Sequence, residues 1–407
     1  MGDTTAVTKQ SPAGAMPLDG RYDLSVMIGG PLYQLYRGTH VSGAALELVH
    51  RRVIALAVLA WLPLLVLSLL DGLAWAGVRV PFLLDVSTHL RFLGALPLLI
   101  FAELIVHERM PTVVRQFVTR GIVDEAGRPK FQAAIDSAMR LRNSIVAEIL
   151  LLVLVYAVGV GLVWRYEIVL PVATWYRQID AGAIHVTRAG WWYMLVSTPL
   201  FQFLLFRWYF RIFIWARFLW QVSRIGLKLM PLHPDRNGGL GFLSGMPRAF
   251  APLLLAHGVL LAGVFADGIF FADMSLLDYK FEALAVLAFL LLIVVGPLLV
   301  FMLVLERAKR TGTREYGMLA QRYVRDFDHK WLHGTEQPSE SLLGAADIQS
   351  LADLGNSFEV VKEMKLIPVS RSTLTYLVIV AALPIAPLLF TMIPMNELLK
   401  RLAKLVL

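Results

Sequence analysis

The sequence predicts an all-α fold, a multi-pass transmembrane helical bundle with about seven spans and a small helical cytoplasmic segment. Composition is the first observation behind this prediction. Of the 407 residues, 57% are hydrophobic and only 17% are charged, and the mean hydropathy is +0.64. About a quarter of the residues of a soluble domain are charged. The composition therefore indicates a protein whose solvent is the lipid bilayer.

The second observation is a series of seven apolar windows, each close to the roughly 20 residues that a helix needs to cross a bilayer. The windows lie at 53–72, 90–107, 144–164, 191–215, 250–271, 283–305 and 373–393. They predict a six-span membrane region over 53–306 with a cytoplasmic loop at 216–249. A last span or re-entrant segment with an amphipathic tail then follows over 372–407.

The third observation is the distribution of basic residues between the windows. Alternate connections hold 27 Lys and Arg residues, whereas the other three hold 5. The rich connections are 1–52, 107–143, 216–249 and 307–371, and the poor ones are 73–89, 165–190 and 272–282. Because Lys and Arg accumulate in cytoplasmic loops, we expect a bacterial inner-membrane protein with a cytoplasmic N-terminus. Lys400, Arg401 and Lys404 lie in a tail that seven spans would put outside, so the side of the C-terminus stays open.

Several classes of function are excluded by residue content. The chain has no cysteine, which excludes disulfides, thiolate metal sites and cysteine nucleophiles. It contains no Walker loop, dinucleotide fingerprint, nucleophile elbow or zincin motif, so we expect no cofactor and no metal. The net charge of +8 fits cytoplasmic loops facing anionic lipid. The expected partner is therefore the phospholipid bilayer and not nucleic acid.

The N-terminal part, residues 1–52, is predicted to be a cytoplasmic tail with interfacial helices. Residues 1–20 are small and polar and are interrupted by Gly and Pro, which is typical of disorder. A short interfacial helix is expected near 31–37, and Ser42 is a candidate N-cap for a second helix.

The other extramembrane parts are predicted to be short. We expect a helix from Lys130 to Arg142 and a small external hairpin within 165–190. Residues 307–371 form the largest polar segment, in which Arg314 to Leu332 extends the sixth span. Two further helices are predicted there, Ala345–Leu354 and Phe358–Leu366, separated by Gly355.

A loop between two apolar segments concentrates residues of special conformation and chemistry. Its sequence from 231 to 242 is PLHPDRNGGLGF. One interpretation is a tight connection shaped by Pro and Gly and capped by a carboxylate. The other is a polar site for an ion or an anionic group, in which exposed backbone N–H groups act with nearby side chains. The candidate residues of this loop are His233, Asp235, Arg236, Asn237, Gly238 and Gly239.

The loop carries two resemblances. His233-Pro234-Asp235 is similar to the His-Pro-Asp loop of J-domain co-chaperones, but a J-domain is a small soluble bundle, whereas both neighbours here are apolar spans. The chain as a whole resembles uncharacterised bacterial inner-membrane proteins with an HPDxxGGLGFL-like loop and a stretch such as Asp347 to Asn356. That resemblance implies a membrane location and no activity.

Ionisable residues within the predicted spans are the next candidates, because a charge at mid-bilayer costs at least a few kcal/mol. We expect them to face protein or water. Glu103 and His107 lie one helical turn apart and are predicted to contact each other, and His257 is predicted to be a core histidine donating to a backbone carbonyl. The candidate polar lining consists of Glu103, His107, Glu148, Arg207, Arg211, His257 and Asp267.

Arg207 and Arg211 share one face of an aromatic-rich span. Three interpretations stay open: snorkelling to the interface, an internal basic lining for an anion route, or ion pairs with Glu103 or Glu148. Outside the predicted spans, Asp326, His329 and His333 have a spacing that permits metal binding. The expected interpretation is nevertheless a solvated helix face.

Three functional hypotheses follow. The first is a channel or transporter-like protein for an anion or small polar solute, with the 231–242 loop at its cytoplasmic mouth and a homo-oligomeric assembly. The second is a membrane enzyme acting on lipid or polyprenyl headgroups, with His233 as base and Asp235 as its partner or as a metal ligand. The third is a scaffold or sensor that binds a cytoplasmic protein partner through 307–371.

Overall fold

The computed structural model describes residues 22, 24–27, 49–163, 173–180, 183–333, 341–342 and 344–392. Within these residues the chain is almost entirely helical. The predicted tail at 1–20, the interfacial helix at 31–37, the Ser42 cap and the basic C-terminal tail lie outside the described residues. The all-α prediction is confirmed for the described part of the chain.

Nine helices are numbered here in chain order. Their bounds are α1 Val49–Leu70, α2 Val86–Thr119, α3 Arg128–Arg142, α4 Ile145–Leu154, α5 Thr198–Val222, α6 Leu240–Phe271, α7 Leu276–Trp331, α8 Ala346–Lys362 and α9 Arg371–Met392. Three stretches have π-helical hydrogen bonding: Leu90–Ala95 inside α2, Val155–Val163 after α4, and Tyr193–Ser197 before α5. Most helical residues in the described part of the chain therefore belong to a few long helices.

Five of the described helices are long and apolar enough to cross a membrane: α1, α2, α6, α7 and α9. They are compatible with an integral membrane protein, as the composition predicts. The third and fourth apolar windows correspond to α4 and α5. The apolar helix Ile145–Ala157 is too short to qualify, and α5 carries three arginines within its 25 residues. The structure thus gives five candidate spans, and the count of seven is not confirmed.

Local sequence signals explain where several helices begin. The Ser144 hydroxyl accepts the N–H of Ala147 at the start of α4, and Asp85 accepts the N–H of Thr88 at the start of α2. Such side chains satisfy N–H groups that the first helical turn leaves without an intrahelical partner. Thr187 does the same for Gly190 in the short helix Arg188–Trp192.

Helix α6 lies at the centre of the bundle. In its most apolar window, 67% of the residues are buried, against 22% for α1 and α9. It approaches its neighbours through glycines, since a Cβ at Gly258 would lie 2.2 Å from the carbonyl oxygen of Ala381, and one at Gly263 would lie 2.8 Å from the Cα of Ser87. Small residues at such positions allow helix backbones to pack closely in membranes.

The strand pair of the predicted hairpin is confirmed. Strand β1, Arg177–Asp180, pairs antiparallel with β2, Ala183–Val186, in the register Arg177↔Val186. The buried Trp175 precedes β1 and donates its indole N–H to Asp85 at 2.7 Å. This bond ties the hairpin to the start of α2.

The segment predicted to be cytoplasmic forms a helical hairpin of α7 and α8 in its described part. The predicted continuation of the sixth span is confirmed, because α7 runs without a break from Leu276 to Trp331. Asp347 at the start of α8 accepts from Lys330 and Trp331, and these two bonds hold the pKa of the Asp347 carboxyl below its usual value.

The prediction of two short helices separated by Gly355 was wrong. Helix α8 continues from Ala346 to Lys362 through this glycine. One glycine costs a helix only about 1 kcal/mol relative to alanine, and packing of α8 against α7 outweighs that cost.

We expect Gly355→Ala to raise the stability of the protein by about 0.5–1 kcal/mol, because alanine favours the helix and a Cβ at this position meets no atom within 4 Å. Gly312→Ala in α7 is the matched comparison and should lower stability, since its Cβ would lie 2.6 Å from that of Pro231. Thermal unfolding in detergent measures both. A lower melting temperature for Gly355→Ala would show that this glycine ends a helix.

Candidate functional site

The bundle contains a buried ionic centre formed by Glu103 of α2, Arg52 of α1 and Arg211 of α5. The Glu103 carboxylate accepts from Arg52 through one oxygen and from Arg211 at 2.6 Å through the other. The three residues are 3%, 2% and 4% exposed, respectively. One carboxylate therefore joins three helices in a region from which water is excluded.

A second ion pair involves Arg207, which lies one helical turn before Arg211 in α5. Arg207 has a guanidinium nitrogen 3.6 Å from a carboxylate oxygen of Glu148 in the first turn of α4. No residue of α4 from Ile145 to Leu154 is buried, so the rest of the bundle encloses this helix only loosely. Of the three interpretations open for Arg207 and Arg211, the structure shows the ion pairs with Glu148 and Glu103.

A short N-terminal segment packs beside this centre. Leu24, Val26 and Met27 are each at most 2% exposed. The Ser25 carbonyl accepts from Arg142 at 2.6 Å, and the Ser25 hydroxyl lies 2.7 Å from Nδ1 of His107. The predicted contact between Glu103 and His107 was wrong, because Glu103 turns to the arginines while His107 turns to Ser25.

Arg142 adds a further positive charge to this region. Burial and the nearby charge of Arg211 lower the pKa of the Arg142 guanidinium from its ordinary value. Among the described residues, four arginines and two glutamates thus lie together, so positive charge exceeds negative charge within this group. The six residues are Arg52, Glu103, Arg142, Glu148, Arg207 and Arg211. An excess of one sign inside a bundle is costly, and it favours the approach of an anion.

The ionisable residues of α6 have local structural partners. His257 contacts the Tyr209 hydroxyl through Nε2 and the Leu253 carbonyl through Nδ1, each at 2.7 Å. This is the core histidine that the sequence predicts. Asp267 accepts the N–H groups of Val86 and Ser87 and so caps the start of α2.

The 231–242 loop is organised around the carboxylate of Asp235. Its two oxygens accept the backbone N–H groups of Asn237, Gly239 and Gly241 at 2.8, 3.1 and 2.8 Å. Burial raises the pKa of Asp235, but these three donors and nearby His233 outweigh it, so the pKa lies below its ordinary value. The N–H groups expected to receive an anion are therefore occupied by the loop's own carboxylate.

Positive φ angles let the loop wrap around that carboxylate. Arg236, Gly238 and Gly239 have φ of 54°, 62° and 97°. A Cβ at Gly238 would meet the Met364 side chain at 2.9 Å, so this glycine also lets the loop pack against the segment after α8. The Arg236 carbonyl accepts from the Lys365 N–H at 2.7 Å. The loop is a shaped connection that packs against the end of the hairpin formed by α7 and α8.

Two further groups of candidate residues are the pair His233 and Asp235 and the set Asp326, His329 and His333. His233 Nδ1 lies 2.9 Å from an oxygen of Asp235, so the two residues proposed as base and partner are in contact. In the described residues, no group of three or more His, Asp or Glu side chains is arranged to hold a metal ion. Asp326, His329 and His333 in and after α7 do not form such a group.

Sequence reasoning missed Arg52 and Arg142 as members of the ionic centre. Arg52 lies at the predicted membrane boundary, where an arginine usually meets headgroups. The available signal was Glu103, since a carboxylate inside a span requires a cationic partner. No local pattern indicates which arginine supplies it. No family model, curated protein or solved structure matches the chain, so its function is inferred from this geometry.

Asp235→Asn tests whether the carboxylate holds the loop. Because the folded-state pKa is below the ordinary 3.8, the ionised carboxylate stabilises the protein above that pH, and the effect is lost as the pH falls through the folded value. We expect a loss of about 1–3 kcal/mol at pH 7 that shrinks below about pH 4. Melting temperatures of both proteins across this pH range measure it.

Asp353→Asn is the control, because Asp353 accepts only from Gln349 on an exposed face of α8. It should change the melting temperature little at any pH. A difference between wild type and Asp235→Asn that stays constant from pH 7 to below pH 4 would contradict the role of the ionised carboxylate.

Proposed function

We propose that this chain is a bacterial inner-membrane protein with seven spans and a cytoplasmic N-terminus, and that it is a channel or transporter-like protein for a small anion or polar solute. The proposal rests on one observation: among the described residues, four arginines and two glutamates lie together between helices of an apolar bundle. Burying ionisable groups inside a membrane protein costs free energy. Such groups are therefore first interpreted as parts of a solute or ion pathway.

The geometry of α4 and α5 supports two spans beyond the five that qualify by length and hydropathy. Helix α4 has ten residues, and the π-helical stretch Val155–Val163 adds nine more apolar ones. In α5, Arg207 and Arg211 point at carboxylates inside the bundle, while the outward positions include exposed aromatics such as Phe213 and Trp220. Both segments can therefore face lipid.

Arg207 and Glu148 supply a physical step for solute passage. A guanidinium pairs with a carboxylate or another oxyanion by the same hydrogen bonds. An anion that reaches Arg207 competes with Glu148, and Glu148 lies on the helix least enclosed by the bundle. We infer that exchange of Glu148 for the solute at Arg207 is the central binding step, whereas the shorter pair of Arg211 and Glu103 keeps the helices together.

The two other hypotheses have weaker support. In an enzyme, Asp235 would bind a metal or orient His233, but its oxygens already accept three backbone N–H groups. A scaffold would use the helical segment over 307–371, whose partner is a cytoplasmic protein of unknown kind. Neither hypothesis accounts for the buried charges.

Anion flux into liposomes tests the proposal. Reconstituted wild-type protein should move a small anion or organic acid faster than empty liposomes do. Arg207→Gln/Glu148→Gln removes the exchangeable pair without leaving a lone charge, and it should lower the flux at least about tenfold, the effect of 1.4 kcal/mol on a barrier.

Arg310→Gln/Glu306→Gln is the matched control, because it removes an exposed pair one turn apart in α7. This double variant should transport like wild type. Absence of flux for inorganic anions, organic acids and amino acids under every gradient applied would overturn the proposed function.

A further inference from the structure

The part of α7 that follows its apolar half carries a dense group of cations. The apolar run of α7 ends at Leu305, and Arg307, Lys309, Arg310 and Arg314 follow within nine residues. A cluster of about four to eight Lys and Arg residues directly after a membrane span is typical of a segment that contacts anionic lipid. The arrangement of these side chains decides whether the cluster is a diffuse charge or a binding site.

An open cleft of about 510 Å³ lies between this part of α7 and the segment after α8, and we call it the α7 cleft. Its lining residues are Glu306, Lys309, Arg310, Thr313, Arg314 and Leu366. Arg307 lines a separate depression beside the 231–242 loop. Among the described residues, three cations and one carboxylate thus line the α7 cleft, so positive charge exceeds negative charge on its wall.

The carboxylate of Glu306 neutralises only one of these cations, because it pairs with Arg310 one turn away. Lys309 donates to the carbonyl of Met364 at 3.0 Å, which fixes the ammonium group and leaves two of its three N–H groups for other acceptors. Arg314 is exposed. In the described part of the chain, no carboxylate forms an ion pair with Lys309 or Arg314, so both can bind an anion.

The same face of α7 is apolar directly before the cleft. Met302 and Leu303 are 40% and 62% exposed. Met302 lies about two helical turns before Lys309, and Leu303 about three turns before Arg314. Because Cα–Cβ bonds tilt toward the N-terminus of a helix, the cations lean back toward this apolar surface. One face of α7 therefore joins an apolar strip to a cationic cleft, in the order in which a phospholipid joins its acyl chain to its phosphate.

We propose that the α7 cleft binds the phosphate of an anionic phospholipid in the cytoplasmic leaflet. The phosphate oxygens accept from Lys309 and Arg314, since ammonium and guanidinium groups form strong charge-assisted hydrogen bonds with phosphate. The Thr313 hydroxyl is a third donor, and the acyl chain lies along Met302 and Leu303. This inference rests on the proposed orientation of α7 across the membrane and does not depend on transport.

Native mass spectrometry of the full-length protein in a neutral detergent tests the site. The protein is titrated with phosphatidylglycerol, with phosphatidylcholine and with glycerol phosphate, a free phosphate without acyl chains. We expect phosphatidylglycerol to bind at least about tenfold more tightly than phosphatidylcholine, whose headgroup carries no net charge. Glycerol phosphate should bind more weakly than phosphatidylglycerol, because it buries no apolar surface on the helix.

Lys309→Gln/Arg314→Gln removes the two cations that bind the phosphate. It should weaken binding of phosphatidylglycerol about fivefold for each cation, since a Lys or Arg near an anionic surface contributes about 1 kcal/mol. Binding of phosphatidylcholine should change little.

Arg322→Gln/Arg325→Gln is the matched control, because it removes the same charge from the same helix. Arg322 lies eight residues after Arg314, which is about 12 Å along the helix axis. Salt at physiological concentration screens exposed charges over about 8 Å. This variant should bind phosphatidylglycerol like wild type, and an equal loss in both double variants would show a diffuse charge and overturn the site.

Arg314→Gln alone is a second variant for the case in which loss of the Lys309 contact with Met364 prevents folding. Arg314 is exposed, so the fold should be retained, and binding of phosphatidylglycerol should weaken about fivefold. Unchanged affinity in this variant overturns the site. Glycerol phosphate binding as tightly as phosphatidylglycerol would also overturn it, since the cleft would then take free phosphate.

The two proposals fail in different ways. Binding of phosphatidylglycerol that depends on Lys309 and Arg314, without flux in liposomes, would overturn the transport function and leave the lipid site standing. Flux of a small anion through a protein that binds phosphatidylglycerol and phosphatidylcholine equally would support transport and overturn the lipid site.

Discussion

The structure depends on the pairing of a buried carboxylate with two arginines. In an apolar bundle, an unpaired charge costs several kcal/mol, so Glu103 constrains where Arg52 and Arg211 can lie. Because the three residues belong to α1, α2 and α5, this requirement fixes the relative positions of three helices. The glycines of α6 then allow the neighbouring helices to pack against a common centre.

The loop over 231–242 is a second unit held together by its own hydrogen bonds. Its glycines and positive φ angles direct three N–H groups to Asp235, and its outer face binds the segment after α8. This arrangement links the apolar helix bundle to the hairpin of α7 and α8. The density of special residues in the loop is thus explained by its shape.

Sequence reasoning predicts the helices, the hairpin and the long α7 because these follow from local periodicity and turn residues. Its alternatives for Arg207 and Arg211 also include ion pairs, since a charge in a membrane span needs a partner. It does not find Arg52 or the Ser25 segment, because these depend on contacts between segments far apart in the chain. Gly355 shows the converse error, in which a local helix breaker is outweighed by packing.

A double-mutant cycle of Glu103→Gln and Arg211→Gln tests the central claim most directly. Unfolding free energies of wild type, both single variants and the double variant in detergent give the coupling between the two side chains. A buried pair at 2.6 Å predicts that each single variant is strongly destabilised and that the double variant is about 2 kcal/mol more stable than additivity requires. Additive effects within about 0.5 kcal/mol would contradict the claim that this pair holds the bundle together.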